Sequence, residues 1–144
     1  MPRVKLSEQP HYEFTHRLTV RVTDLNYGAH LANNAVIELI HEARAQLFRA
    51  LGFGETNLGD GRTGIIMGDL VINFKREGFL FDELTIHSHA GEFTRQGFRL
   101  FHKITRGSSL LALVETGLVA FDYVERKPTA LPAPFLQALE NHGH

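Results

Sequence analysis

Hydrophobic and polar residues alternate along four stretches of this 144-residue chain, with the two-residue period of a strand that has one buried face, and a fifth stretch is a nearly continuous apolar run. The predicted strands cover residues 14–23, 65–75, 84–90, 97–104 and 110–123. The last stretch is apolar on both faces for most of its length, so we expect it at the centre of a sheet. Residues 106–109 are typical of a hairpin turn leading into it.

A different spacing marks residues 35–51, where apolar side chains recur every three or four positions. Val36, Ile40, Ala43 and Leu47 form one line along a helix, and further apolar residues widen this line to about half of the circumference. Such a broad apolar arc predicts that other elements wrap around the helix. Asn33 or Asn34 is the expected N-cap, because an asparagine side chain can accept from the first-turn amides.

The order of these elements predicts an α+β fold. One strand, one long helix and four further strands fit a five-stranded antiparallel sheet curled around a central helix, followed by a short C-terminal helix at residues 133–141. The length suits a single domain spanning residues 1–144. Because such a small layer leaves sheet edges open, we expect the chain to form a homodimer or a dimer of dimers.

Composition narrows the classes of function. Fifteen basic and 16 acidic residues give a formal net charge of −1, so neither nucleic acid nor a membrane is an expected partner. The absence of cysteine excludes disulfides, thiolate nucleophiles and iron–sulfur clusters, and no metal or other cofactor is expected. The sequence has no signal peptide and no membrane-spanning stretch, which favours a cytoplasmic location.

The most specific pattern is the segment at residues 22–44, which reads VTDLNYGAHLANNAVIELIHEAR. It resembles the opening signature of hotdog-fold acyl-CoA thioesterases of the 4-hydroxybenzoyl-CoA type, and the gap-free matches are Asp24, Asn26, His30, Asn33, Ala43 and Arg44. The later run NFKREGFLFDEL, at residues 73–84, resembles the second strand of that family. The likeness covers about residues 12–124. It implies a hotdog fold, acyl-CoA as substrate and thioester hydrolysis as the reaction.

The chain departs from the family pattern at Asn26, where many relatives carry a catalytic aspartate. An amide has no ionisable proton near neutral pH, so Asn26 cannot act as a base or nucleophile. In acyl-carrier-protein thioesterases of the same fold, a histidine that matches His30 is catalytic. Three functions therefore stay open: hydrolysis of acyl-CoA, hydrolysis of carrier-protein thioesters, and acyl-thioester binding without catalysis.

The resemblance implies that the backbone amide of Asn33, at the start of the helix, binds the oxyanion of the reacting thioester. Asn26 and Asn34 are candidates for positioning water. The candidate proton acceptors are His30, Asp24, Glu42 and Asp69. His30 is the first of these, since histidine needs the least tuning to accept a proton at neutral pH; the alternative is that its side chain only hydrogen-bonds the loop.

Two candidate carboxylates have structural alternatives. Glu42 could be a solvated charge on the helix surface, and Asp69 could face solvent or pair with Arg44. Residues expected to bind substrate are Tyr27 and Gly28 in the loop, together with a groove of basic side chains for the phosphates of coenzyme A, formed by Lys75, Arg76, Arg95 and Arg99. The apolar run at residues 79–81 is expected to be covered by a partner.

Overall fold

The computed structural model describes residues 2–143. Its elements are, in chain order, β1 (Phe14–Thr19), α1 (Asn33–Ala50), β2 (Thr63–Phe74), β3 (Glu83–Gly91), β4 (Gly97–Arg106), β5 (Ser109–Asp122), β6 (Lys127–Pro128) and α2 (Ala133–Gly143). The main strands pair antiparallel in the order β1-β3-β4-β5-β2, and the short β6 pairs with the end of β5. The predicted hotdog arrangement of a sheet on one long helix, with a short C-terminal helix, is confirmed.

The hydrophobic core lies between α1 and the sheet. Apolar residues from the first half of α1, including Val36 and Ile40, pack with Ile86 of β3, Ile104 of β4 and Val114 of β5. A second cluster joins the end of α1 to α2, which explains why the apolar arc of α1 is so broad. Each fully buried side chain of this size contributes roughly 1.5–3 kcal/mol to stability.

The structure corrects two predicted boundaries before α1. The strand predicted at residues 14–23 ends at Thr19, and Val22–Asp24 form a 3-10 turn that leaves Val22 67% exposed. The Asp24 carboxylate accepts the backbone amide of Arg21 at 2.8 Å and so closes this turn. The prediction of an asparagine N-cap is wrong, because Ala32 holds that position without a side-chain hydrogen bond and Asn33 is the first helical residue.

Two strand predictions also change. β5 is an interior strand, but β4 lies at the centre of the order and β5 lies between β4 and β2. β2 contains a bulge between Met67 and Asp69, which interrupts the simple alternation of its faces. None of the helices in residues 2–143 is long and apolar enough to cross a bilayer.

The outer face of the sheet is partly covered by the N-terminal segment, residues 4–13. At its start, Asn73 of β2 accepts the Leu6 amide at 2.7 Å and donates to the Val4 carbonyl at 2.9 Å. At its end, the Glu13 carboxylate lies 2.6 Å from Nδ1 of His89 on β3. The segment therefore crosses the outer face from β2 to β3, a cover that the alternation pattern does not indicate.

A buried polar pair interrupts the core between α1 and the sheet. Ser88 Oγ of β3 lies 2.7 Å from Nδ1 of His102 on β4, and both side chains are buried. Burial, together with the nearby charge of Arg44, lowers the pKa of His102 to about 3. The native protein thus holds this imidazole in its neutral form at any pH well above that value.

We expect acid to destabilise the protein through His102. An unfolded histidine binds a proton below about pH 6.5, whereas the folded protein does not until about pH 3, so stability falls between these values. The free energy of unfolding is measured in urea between pH 7 and pH 4.5. As the pH falls, it should decrease more steeply for the wild type than for His102→Asn, by up to about 1.4 kcal/mol per pH unit. Parallel slopes for the two proteins would contradict this expectation.

Candidate active site

The loop between β1 and α1 folds tightly around Asn26. The Asn26 side-chain oxygen accepts the Gly28 amide at 2.9 Å, its backbone amide donates to the His30 carbonyl at 2.9 Å, and Ala29 adopts a left-handed conformation with φ 63°. A Cβ at position 28 would lie 3.0 Å from Nε2 of His30, so glycine allows the ring to approach this turn. Tyr27 is fully exposed at the tip of the loop.

Asp24 anchors this loop to the rest of the molecule. Its side chain is buried and paired with the Arg21 guanidinium at 3.0 Å, and its carbonyl accepts the Ala32 amide at 2.9 Å. Burial opposes ionisation of Asp24, but the hydrogen bonds from Arg21 outweigh it and lower the pKa of the carboxyl. The structure therefore gives Asp24 a structural position, away from the cavity described next.

A cavity of about 250 Å³ opens beside this loop, between the start of α1, the chain after β2 and the start of β5. Its apolar wall comes from both core and strand residues, namely Leu31, Val36, Ile104, Leu111 and Ala112. Polar and charged residues line it as well: His30, Asn33, Lys75, Arg76 and Glu77. The cavity therefore offers an apolar space beside groups that can bind or transfer charge.

The first turn of α1 presents unused backbone amides at this cavity. The first hydrogen bond of the helix runs from the Val36 amide to the Ala32 carbonyl, at 3.3 Å. Within residues 2–143, no acceptor contacts the amides of Asn33 and Asn34. Because these N–H groups lie at the positive end of the helix dipole, they favour a negative oxygen at this point. Both side chains are exposed, and Asn33 lines the cavity.

His30 lies between two polar side chains. Its Nδ1 is 3.4 Å from Nδ2, the side-chain amide nitrogen of Asn26, and its Nε2 is 3.8 Å from Oε1 of Glu77. The ring is one-third exposed, so it can contact solvent and a bound ligand. Glu77 is not among the residues predicted from the sequence, where its only signal is its place in the run KREG directly after a predicted strand.

The other two candidate carboxylates lie elsewhere. Glu42 is exposed on α1, accepts Nε2 of Gln46 at 2.8 Å and does not line the cavity. Asp69 lies on β2 and pairs with Arg99, and the hydrogen bond from that guanidinium lowers the pKa of the Asp69 carboxyl. The suggested pairing of Asp69 with Arg44 is wrong, because the Arg44 guanidinium donates to Glu55 at 2.7 Å.

The basic residues expected to form one groove divide into two groups. Lys75 and Arg76 line the cavity, and their amides donate to the carbonyl of Leu111. Arg99 instead pairs with Gly117, six residues further along β5, or about 20 Å away at 3.3 Å per residue. Arg95 also lies at that distant end, where its carbonyl accepts the Leu131 amide. Within one copy of the chain, these four side chains therefore do not line a single groove.

Several solved structures share the fold of this chain. A 1,4-dihydroxy-2-naphthoyl-CoA thioesterase from Synechocystis aligns over 91% of this chain and 98% of its own, with TM-score 0.82 and 22% identity. A Staphylococcus aureus protein in complex with CoA aligns over 94% and 87%, with TM-score 0.83 and 15% identity. A probable thioesterase from Escherichia coli, YbaW, aligns over 93% and 100%, with TM-score 0.72 and 22% identity.

At these identities the solved structures establish the fold, and the sequence establishes the family. The profile of the thioesterase-like superfamily matches residues 20–139, which include the loop, α1 and every main strand after it. A search among curated proteins found no match. Fold and site together define a thioesterase of the hotdog class. The chain belongs to the thioesterase-like superfamily.

Proposed function

We propose that this protein hydrolyses acyl-CoA thioesters whose acyl group is aromatic or short. The observation that carries the proposal is the set of unused amides at the start of α1, which meets an apolar cavity beside His30. The acyl group would occupy the apolar space, and its thioester carbonyl would point at the amides of Asn33 and Asn34. An oxyanion donor of this kind stabilises a transition state by about 3–4 kcal/mol.

The reaction begins when water attacks the thioester carbonyl carbon and a nearby base takes the proton of the water. Negative charge moves to the carbonyl oxygen, where the helix amides bind it. When the tetrahedral intermediate collapses, the C–S bond breaks, the thiolate of CoA takes up the proton, and the free acid leaves. His30 or a carboxylate beside it serves as the base.

The size of the cavity supports small acyl groups. A cavity of about 150 Å³ with apolar walls accommodates benzene. The space of about 250 Å³ found here holds an aromatic ring together with the thioester, or a short aliphatic chain. The Synechocystis enzyme with the same fold acts on an aromatic acyl-CoA, which agrees with this size class.

Binding of the CoA portion is assigned to Lys75 and Arg76 at the cavity. A guanidinium presents two aligned donors to a phosphate, and an ammonium adds a mobile positive charge. The S. aureus structure with this fold contains CoA, which agrees with a CoA-binding role for such a site. A cytoplasmic location stays a prediction of the sequence.

Self-association is part of the proposal. β2 is an edge strand of 12 residues whose exposed apolar side chains include Ile66, Met67 and Phe74. A long apolar edge strand pairs readily with another strand, so a second copy of this chain is a suitable partner. Phe79 and Phe81, which follow β2, are exposed as well and would extend the same contact.

Light scattering first measures the mass of the purified protein and so its oligomeric state. The protein is then incubated with benzoyl-, acetyl-, hexanoyl- and palmitoyl-CoA to test the proposed function. Release of free thiol is followed with a chromogenic disulfide reagent. We expect benzoyl- or hexanoyl-CoA to be hydrolysed with kcat/KM at least tenfold above palmitoyl-CoA. Preference for a carrier-protein thioester would select the alternative thioesterase, and tight binding of acyl-CoA without thiol release would select a binding protein.

A further inference from the structure

The side chain of Asn26 has a defined orientation. Its oxygen faces the Gly28 amide at 2.9 Å and the His30 amide at 3.4 Å, and both of these groups can only donate. Its nitrogen therefore faces Nδ1 of His30, at 3.4 Å. Because an amide NH₂ group can only donate, Nδ1 must be the acceptor of this hydrogen bond.

This hydrogen bond determines the tautomer of His30. A neutral imidazole carries one proton, and with Nδ1 as an acceptor that proton is on Nε2. The Nε2–H group faces Oε1 of Glu77, 3.8 Å away. Neither ring nitrogen therefore has an available lone pair, because Nδ1 accepts a hydrogen bond from Asn26 and Nε2 carries the proton. In this state the Nε2–H group of His30 points toward Glu77 at a distance longer than a direct hydrogen bond, and the ring has no free lone pair with which to deprotonate water.

Glu77 is the one carboxylate that lines the cavity within the described part of the chain. Its side chain is 64% exposed, so its oxygens can reach water. Its backbone is well supported, because the Leu31 amide donates to the Gly78 carbonyl at 2.7 Å and Arg106 donates to the Glu77 carbonyl at 3.2 Å. The carboxylate is thus carried by a fixed segment that lines the same cavity as Asn33, and a general base requires such a fixed position.

We propose that Glu77 is the general base of the reaction and that His30, held by Asn26, positions it. The 3.8 Å between Nε2 and Oε1 is longer than a direct hydrogen bond, so the N–H group of His30 attracts the Glu77 carboxylate and leaves its oxygens free to accept a proton from water. As water attacks the thioester carbon, its proton passes to the Glu77 carboxylate. The protonated carboxyl then returns this proton to the departing thiolate, so charge and protons balance. The inference rests on the proposed function. It assigns to Glu77 the role of a catalytic carboxylate, which the amide of Asn26 cannot fill.

The first test compares Glu77→Gln with the wild type under single-turnover conditions, with Glu83→Gln as the matched control on an exposed carboxylate outside the cavity. We expect Glu77→Gln to lower the rate on the order of 10²–10⁴-fold with little change in KM.

A second pair of variants tests the role of His30. His30→Gln retains an N–H donor and should keep more activity than His30→Ala, which retains none. The proton on Nε2 is read directly from the ¹⁵N shifts of His30 in labelled protein without substrate. We expect the Nε2–H tautomer in the wild type and a larger Nδ1–H fraction in Asn26→Ala.

The outcomes separate the two proposals. If the wild type hydrolyses none of the thioesters, the proposed function fails and this inference fails with it. A second outcome is that the wild type is active, that Glu77→Gln hydrolyses the thioester at the wild-type rate, and that His30→Ala is inactive. In that case His30 is the base, and only this inference is overturned. An Nδ1–H tautomer in the free wild-type protein also overturns it. Circular dichroism of each variant confirms that a rate loss is not a loss of folding.

Discussion

Replacing Asn33 with proline is expected to lower kcat about 10²–10³-fold, because proline has no N–H group to bind the oxyanion. The fold should tolerate this change. Asn33 is the first residue of α1, the position at which proline is most often found in helices. Ala32, with φ −74° and ψ 146°, has the extended conformation that a residue before proline requires. The lost amide also has no acceptor within residues 2–143.

Asn33→Ala is the matched control, since it removes the exposed side chain and keeps the amide. It should retain most of the activity, and both variants should unfold at urea concentrations close to that of the wild type. Rates are measured with the best acyl-CoA from the substrate panel. A folded Asn33→Pro protein with wild-type kcat would show that this amide does not bind the reacting oxygen.

Replacing Phe135 with alanine is expected to cost about 3–5 kcal/mol of folding free energy. Phe135 is fully buried, and its ring lies 5.1 Å from the ring of Phe48, 5.5 Å from that of Phe53 and 5.8 Å from that of Phe98. These contacts join α2 to α1 and β4, so alanine would leave a cavity where three elements meet. Since domains are stable by about 5–15 kcal/mol, the variant should be close to unfolding at 37 °C.

The measurement is urea unfolding followed by circular dichroism, with Gln137→Ala as the control on an exposed position of the same helix. The control should change stability by no more than about 0.5 kcal/mol. If Phe135→Ala costs less than about 1 kcal/mol, α2 does not pack against this cluster in solution.

The elements of the fold could be predicted because their patterns are local. The three- and four-residue spacing marked α1 to within two residues at its start, where Asn33 precedes the predicted first residue. The alternation marked four of the five main strands, and a nearly continuous apolar run marked β5. The alternation failed at the end of β1, where Val22 continues the pattern although the chain has already turned through the contact between Asp24 and Arg21. The strand order, with β4 in the middle, depends on pairings that alternation does not encode.

The site residues that are close together in the sequence could be predicted, whereas those brought together by distant contacts could not. Asn26, His30 and Asn33 share one loop, so sequence resemblance was sufficient to group them. Glu77 belongs to a segment that reaches this loop through contacts between residues far apart in the sequence, such as the bridge between His30 and Phe79, and no local pattern predicts such a contact. Arg99 shows the opposite error: its charge suggested a phosphate ligand, but the register of β4 on β5 places it beside Asp69 and Glu115 instead.

The N-terminal segment has a consequence for how the chain folds. Its hydrogen bonds to the sheet join residues that are 67 to 95 positions apart, such as Leu6 with Asn73 and Glu8 with Lys103. Closing loops of this length costs entropy that only a preformed binding surface can offset, and here that surface requires β3, β4, β5 and β2 to be paired first. Residues 4–13 should therefore gain protection from hydrogen exchange last during refolding, after the strands that they cover.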